Sequence, residues 1–256
     1  MNLSLSDKTL VVTGGSSGIG AGIGRAAARA GARTVLVGRN QDRLDLVAGE
    51  IGDTGGDCRA LSIDLLRDDA PARVVATALE EFGSIDVLVP AAGVFEPQPF
   101  ERTTLESFDR TWHLNVRVPF ALAQAAAPHL NDGGVIVFVS SIDGHVGFAS
   151  DSAYGPSKAA VDGLTRALSI ELAKRGTRVV GVAPGFTATP MNEDLRSDPA
   201  FVEKAIAEIP AGRLATVEDI AAAVVFLASD AAGYTHGAIL CVDGGYPASP
   251  LQRGMA

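Results

Sequence analysis

The first forty residues constrain the fold more than any other stretch. Lys8–Thr13 (KTLVVT) is a short, β-branched apolar run that ends in glycine and reads as a buried strand. Gly14–Gly20 (GGSSGIG) follows, and an alanine-rich helical stretch runs on to a stop signal at Gly31. Arg33–Val37 (RTVLV) reads as a second strand. Together these form a βαβ unit of about 30 residues, the size that binds nucleotides. The glycine spacing is Gly14-x3-Gly18-x-Gly20, with Ile19 between the last two. It gives a turn that tolerates positive φ and lets a diphosphate approach bare backbone. The helix that follows offers free N–H groups and the positive end of its dipole. Ser16 and Ser17 add hydroxyl donors. This is not the common GxGxxG spacing. The bland alternative is a glycine-rich turn that binds nothing; its place between a strand and a helix argues against that.

The second strand ends Val37-Gly38-Arg39-Asn40. An acidic residue near this point binds the ribose 2′-hydroxyl of NAD, whereas an arginine accommodates the 2′-phosphate of NADP. Gly38 occupies the slot and Arg39 follows, so the sequence favours NADP. The competing reading is an Arg39 that merely faces solvent at a strand end.

Short apolar runs alternate with helical stretches to the end of the chain. Strands are expected at Asp57–Ile63, Ile85–Val89, Gly134–Val139, Arg178–Ala183 and Ile239–Val242. Helices are expected at Asp42–Ile51, Asp68–Phe82, Thr103–Leu130 and Ser152–Arg175. This pattern predicts an α/β fold: a doubly wound, Rossmann-like parallel sheet of about seven strands with helices on both faces. Residues 1–256 are expected to form one domain. Residues 186–212 are an insertion at the ligand edge with the character of a lid. Within and after it, Asp198-Pro199 starts a short helix, and Thr216 to Asp219 resembles a capping box.

Composition excludes several classes. The net charge is −9 and there is no basic cluster, which argues against nucleic acid or an anionic membrane surface as partner. No run of about 18 apolar residues is present, and the N-terminus lacks a signal-peptide pattern. A soluble cytoplasmic protein is expected. Cys58 and Cys241 lie far apart with no metal spacing and read as small buried hydrophobes, and the four histidines show no ligand spacing either. No metal is expected.

The chemistry concentrates in Ser141–Lys158, SIDGHVGFASDSAYGPSK. On a helix, the i,i+4 spacing places Tyr154 and Lys158 on one face. An ammonium beside a phenol favours the phenolate and lowers its pKa, fitting it to exchange a proton with an alcohol or carbonyl oxygen. Alone, a YxxxK tetrapeptide is more often a surface pair on an amphipathic helix. The expected strand before it, however, delivers Ser141 to the same sheet edge. Asp64-Leu65, Ala92-Gly93 and Pro184-Gly185 also follow strand ends there, and Asp64 is placed to accept from an adenine amino group. Asn115, between Leu114 and Val116, is either a satisfied core amide or a site group, and its spacing favours the core.

In combination, these residues resemble the short-chain dehydrogenase/reductase family, of the compact single-domain type. The resemblance covers essentially the whole chain. It rests on Thr13-Gly14-x3-Gly18-Ile19-Gly20, Asp64, Ala92-Gly93, Asn115, Ser141, Tyr154-x3-Lys158, Pro184-Gly185-x3-Thr189 and Asp243-Gly244-Gly245. It implies an oxidoreductase that moves hydride between a nicotinamide cofactor and a carbonyl or secondary alcohol. Tyr154 would be the general acid/base and Ser141 would hydrogen-bond the substrate oxygen. Lys158 would hold the nicotinamide ribose, and Asn115 would kink its helix and hold a relay water, reversing its core reading. The Thr187 backbone and Thr189 hydroxyl would meet the carboxamide. Relatives are often homotetramers. One departure stands out: Pro90-Ala91 occupies the place of two asparagines common in the family, which points to altered binding on the adenosine side or altered packing of that strand end. Against a non-catalytic dinucleotide sensor stands the intact Ser141, Tyr154 and Lys158 set. Against an epimerase stands the short C-terminal part, and a purely structural scaffold would not need proton-transfer groups. The candidate substrate-pocket residues are Phe95, Asp143, His145, Phe148, Pro190 and Met191; they do not choose a substrate.

Overall fold

A computed structural model of the chain describes residues 3–246. Its strands are β1 (Thr9–Thr13), β2 (Arg33–Gly38), β3 (Cys58–Ser62), β4 (Ile85–Val89), β5 (Leu130–Val139), β6 (Arg178–Pro184) and β7 (Ile239–Val242). They form one parallel sheet in the order β3-β2-β1-β4-β5-β6-β7. The helices are α1 (Gly18–Arg29), α2 (Gln41–Asp53), α3 (Ala70–Phe82), α4 (Leu105–Trp112), α5 (Val118–Ala126), α6 (Tyr154–Ala173), α7 (Glu193–Arg196), α8 (Pro199–Glu208) and α9 (Val217–Ala228).

Both faces of the sheet are covered, which explains why the central strands read as continuous apolar runs rather than alternating ones. Leu10 and Val12 of β1 pack with Ile23 of α1, Leu44 of α2 and Val224 of α9. Val11, between them, points the other way and packs with Val74 of α3, Leu122 of α5 and Val161 of α6. The strand order reverses between β1 and β4. This reversal opens a crevice at their C-terminal ends, where open α/β sheets bind ligands. Thr13 closes its floor: its Oγ1 accepts from the backbone N–H groups of Ala91 and Ala92, each at 3.1 Å.

Two sequence expectations need correction. The helix expected over Thr103–Leu130 is broken by a π turn, His113–Arg117, between α4 and α5. Pro119 has no N–H to give the Asn115 carbonyl four residues back, and the wider turn absorbs the missing bond. The cysteines are not buried hydrophobes: Cys58 is half-buried and Cys241 is exposed, because β7 is an edge strand. Residues 186–212 are largely helical, carrying a 3-10 turn (Pro190–Asn192), α7 and α8. The expected caps are present, with Asp198 accepting from Ala200 N–H and Thr216 from Asp219 N–H. The residues after Tyr246, to which sequence reading assigned no element, lie outside the described residues.

Candidate active site

The crevice has the glycine loop at one end and Ser141, Tyr154 and Lys158 at the other. At the first, Gly14 and Gly18 hold φ of 72° and 52°, in the left-handed region that favours glycine. A Cβ on Gly14 would stand 3.1 Å from Ala92 Cα, and one on Gly20 would collide with the Gly14 carbonyl. The loop therefore has bare backbone where a phosphate needs it. Ser17 is the N-cap of α1 but makes no side-chain capping bond, which leaves the N–H groups of the first turn, at Gly18, Ile19 and Gly20, available to an anion. Ser16 packs under Gly38 at the end of β2.

Arg39 follows, exposed, with its guanidinium unpartnered among the described residues. Asp64 is exposed past β3 and accepts from Leu66 N–H at 3.1 Å, while Leu65 is buried. This cradle fits a dinucleotide: free helix N–H groups, close glycine approaches, and an uncommitted cation at the end of β2.

After β6, Pro184 and Gly185 lead into the segment over the crevice. Thr187 Oγ1 donates to the Gly185 carbonyl at 2.9 Å, and Thr189 faces Gly18, 3.5 Å from the position of its missing Cβ. Asn192 and Arg196 stitch this segment together. Asn192 Nδ2 donates to the Thr187 carbonyl at 2.8 Å, and Arg196 donates to the Thr189 carbonyl and Asn192 Oδ1, both at 3.0 Å. Neither residue was singled out by sequence; a polar pair one helical turn apart after Pro190 was the available signal.

At the other end the structure brings together Ser141, Tyr154, Lys158 and Asn115. Tyr154 is the first residue of α6, Lys158 sits one turn on, and Ser141 follows the tip of β5. Lys158 Nζ donates to the Val139 carbonyl at 2.9 Å and lies 5.5 Å from the Tyr154 ring centre. With one of three donors used, it keeps capacity for a ligand hydroxyl. Asn115 is 1% exposed and fully engaged: Oδ1 accepts from Val94 N–H at 2.9 Å, and Nδ2 donates to the Val94 carbonyl at 3.0 Å and Ser157 Oγ at 3.2 Å. It is a satisfied buried amide, and it ties the loop after β4 to the helix that carries Tyr154. Gly93 lies against it; a Cβ there would stand 3.2 Å from Asn115 Oδ1 and 3.8 Å from Lys158 Nζ. Phe95 packs edge-on to Tyr154, with ring centres 4.9 Å apart.

The electrostatics correct one expectation. Lys158 does not bring the Tyr154 phenol down. Burial pushes the phenol well up, Asp143 and Asp151 push it further, and only the Ser141 hydroxyl pulls it down. Burial also lowers Lys158 itself to about 8, against the upward pull of Asp143 and Asp162. The acidic neighbours were the missed part. Ser141 Oγ donates to Asp143 Oδ1 at 3.0 Å, and Asp143 N–H donates back to Ser141 Oγ at 3.2 Å. Asp151, just upstream of α6, is buried, and no hydrogen bond of good geometry reaches its carboxylate. Of the pocket candidates, His145 is held 3.1 Å from buried Asp162, Phe148 lies against Tyr246, and Met191 and Pro190 are exposed. No group of three or more His, Cys, Asp or Glu among the described residues could hold a metal.

Comparison with known proteins agrees with this geometry. A family model described as enoyl-(acyl carrier protein) reductase, of the short-chain dehydrogenase/reductase type, matches residues 14–247. The chain is 40% identical to cis-4-hydroxycyclohexanecarboxylate dehydrogenase of Sinomonas cyclohexanicum over 97% of its length and 100% of the relative's. It is 40% identical to the NAD(P)+-dependent L-rhamnose 1-dehydrogenase of Azotobacter vinelandii, over 94% and 97%. Among solved structures, a protein from Beutenbergia cavernae assigned as an NAD(P)-dependent gluconate 5-dehydrogenase, with NADP bound at low occupancy, is 41% identical. It superposes with a TM-score of 0.91 over 97% of this chain and 100% of that one.

Proposed function

Because the chain belongs to the short-chain dehydrogenase/reductase family of NAD(P)-dependent oxidoreductases, we propose that it interconverts a carbonyl and a secondary alcohol, with Tyr154 as general acid/base, and prefers NADP(H) to NAD(H). The observation that carries this reading is the convergence of Ser141, Tyr154 and Lys158 on one end of a crevice whose other end is a phosphate cradle. When bound, the nicotinamide cofactor gives or takes the hydride. Gly14, Gly18, Ile19 and Gly20 would hold its phosphates, Asp64 and Leu65 its adenine end, and Ala92, Gly93, Pro184, Gly185, Thr187 and Thr189 its nicotinamide half. Lys158 would meet its ribose hydroxyls. The unpartnered Arg39 supports the NADP preference, since a 2′-phosphate would give it a charge-assisted partner.

In the reducing direction Tyr154 gives its proton to the carbonyl oxygen as charge develops there. A phenol raised by burial and by two carboxyls is protonated at neutral pH, the form this step requires. Ser141 turns its hydroxyl to the same oxygen and stabilises the charge. Phe95, packed on the phenol ring, keeps water from that side. In the oxidising direction the same phenol oxygen, once ionised, takes the alcohol proton.

Residues 186–212 serve as the lid of a single-domain chain, held in shape by Asn192 and Arg196. A homotetramer is supported by large apolar side chains left exposed on α5 and α6, Phe120 and Ile170. A cytoplasmic location follows from the composition. The relatives act on a ring alcohol and on sugars, as their names state, and a ring or sugar alcohol is the substrate class to try first. The test is oxidation of NADPH and NADH by purified protein across a carbonyl panel of these classes. Turnover that favours NADPH is expected. Tight cofactor binding without any turnover would overturn the catalytic reading, and equal use of both cofactors would overturn the preference.

A further inference from the structure

Two carboxyls lie beside the reacting groups, and the chemistry above uses neither. Asp143 is half-buried, with Oδ1 accepting a hydrogen bond from the Ser141 hydroxyl at 3.0 Å. Asp151 is 8% exposed, and no hydrogen bond of good geometry reaches either of its oxygens. The two residues meet at Gly155, where a Cβ would stand 2.9 Å from both the Asp143 carbonyl and Asp151 Oδ2, and their carboxyls interact directly. A close acceptor pair of this kind favours holding one proton between the two, as in other close carboxyl dyads. That proton gives Asp151 the partner it lacks.

We propose that Asp143, backed by Asp151, is a positioning residue that controls whether the Ser141 hydroxyl is free to turn toward the substrate oxygen. When the pair holds a proton, Asp143 is close to neutral and its bond from Ser141 is an ordinary one. When the pair is fully ionised, that bond becomes charge-assisted and roughly twice as strong. The Ser141 hydroxyl is then held in its hydrogen bond to Asp143, and the added negative charge also raises the Tyr154 phenol.

The surrounding groups agree with this assignment. Burial first, and then the Asp143 charge, pushes Asp151 up to about 7; the backbone N–H groups of Gly155 and Tyr154 only temper it. Burial raises Asp143 as well, against the pull of Ser141 and Lys158. The other charged or titratable groups facing the pair are Tyr154, Lys158 and Asp162 on α6, His145 beside Asp162, and Tyr246 with Glu208 farther out. Among the described residues Lys158 is the cation that acts directly on Asp143, and it is shared with Asp162.

The inference rests on the reductase reading, and the experiment separates the two. Protein labelled with carbon-13 at the aspartate carboxyls is titrated by NMR, and kcat/KM for carbonyl reduction at saturating NADPH is measured against pH. Both are repeated for Asp143→Asn and Asp151→Asn. The wild type should show a carboxyl titrating near 7, absent from Asp151→Asn and displaced in Asp143→Asn. Its kcat/KM should fall about tenfold as pH rises through that value, the difference between a neutral and a charge-assisted bond. Asp143→Asn, neutral at every pH, should lose this step, and Asp151→Asn should move it to lower pH. No aspartate titrating near 7, or a step that survives unchanged in Asp143→Asn, overturns the assignment while leaving the reductase reading intact. A wild type that reduces no carbonyl overturns both.

Discussion

Replacing Lys158 by methionine measures what the buried ammonium does to the fold. The side chain is 6% exposed, and its protein acceptor is the Val139 carbonyl. Burial takes its pKa from 10.5 to about 8, despite Asp143 and Asp162. At about 1.4 kcal/mol per pH unit, this difference of 2.5 (10.5 − 8) means that the charged lysine destabilises the folded state by about 3 kcal/mol. The sign follows from proton counting. Between about pH 8 and 10.5 the unfolded chain keeps a proton that the folded chain has released, so stability rises with pH across that window. Below about 8 both states hold the proton and the penalty is complete. Methionine matches the length of the chain without the charge, but it leaves the Val139 carbonyl without this donor, a loss of about 1 kcal/mol. Lys158→Met should therefore be about 2 kcal/mol more stable than the wild type at pH 7, or about 4–8 °C in Tm for a chain of this size. Near pH 10.5 the order should reverse, with the variant about 1 kcal/mol less stable. Urea denaturation followed by circular dichroism, at matched protein concentration, reads both, and turnover should be lost throughout. A variant no more stable than wild type at pH 7, or a gap that does not change with pH, would refute the reasoning.

Three further outcomes are expected. Tyr154→Phe removes the acid/base and should lower kcat by about 10²–10⁴ while thermal stability and NADPH binding stay near wild type; near-normal turnover would remove Tyr154 from the role proposed for it. Arg39→Ala should weaken NADPH binding about tenfold or more and leave NADH nearly unchanged, which isothermal titration with each cofactor checks; equal losses would exclude a 2′-phosphate contact. Asn115→Ala leaves the Val94 N–H and carbonyl without their partners and should destabilise the fold by about 2 kcal/mol, read from urea midpoints, with a further loss of turnover as the loop after β4 detaches from α6.

What was legible in the sequence was whatever depends on spacing along one element. The glycine loop, the strand–helix alternation and the one-turn separation of Tyr154 and Lys158 are local patterns, and the structure keeps each of them. What was not legible depends on groups brought together from distant segments. Asp151 has no significance beside Tyr154 until its carboxyl is seen near Asp143, and the direction of the phenol shift follows from that pair and from burial rather than from the adjacent lysine. The lid stitching by Asn192 and Arg196 is likewise tertiary. One miss was avoidable: Pro119, four residues after Asn115, is a local signal that the helix could not run straight through. Cys241 was misjudged because an edge strand and an inner strand look alike over four residues.

The strand order has a consequence for how such a chain can vary. Because the sheet reverses direction of growth between β1 and β4, every residue before about position 66 reaches the crevice from one side, and everything from β4 onward reaches it from the other. The loops after β1, β2 and β3 belong to the first group; Ser141, Tyr154, Lys158 and the segment after β6 belong to the second. The two sets sit on opposite banks of the crevice and meet at Thr13, at Gly14 against Ala92 and at Gly18 against Thr189; away from these contacts, substitutions at well-separated sites combine nearly additively. Mutant libraries confined to either bank can therefore be screened separately and their best variants merged, with Thr13, Gly14, Gly18, Ala92 and Thr189, where the banks meet, kept fixed.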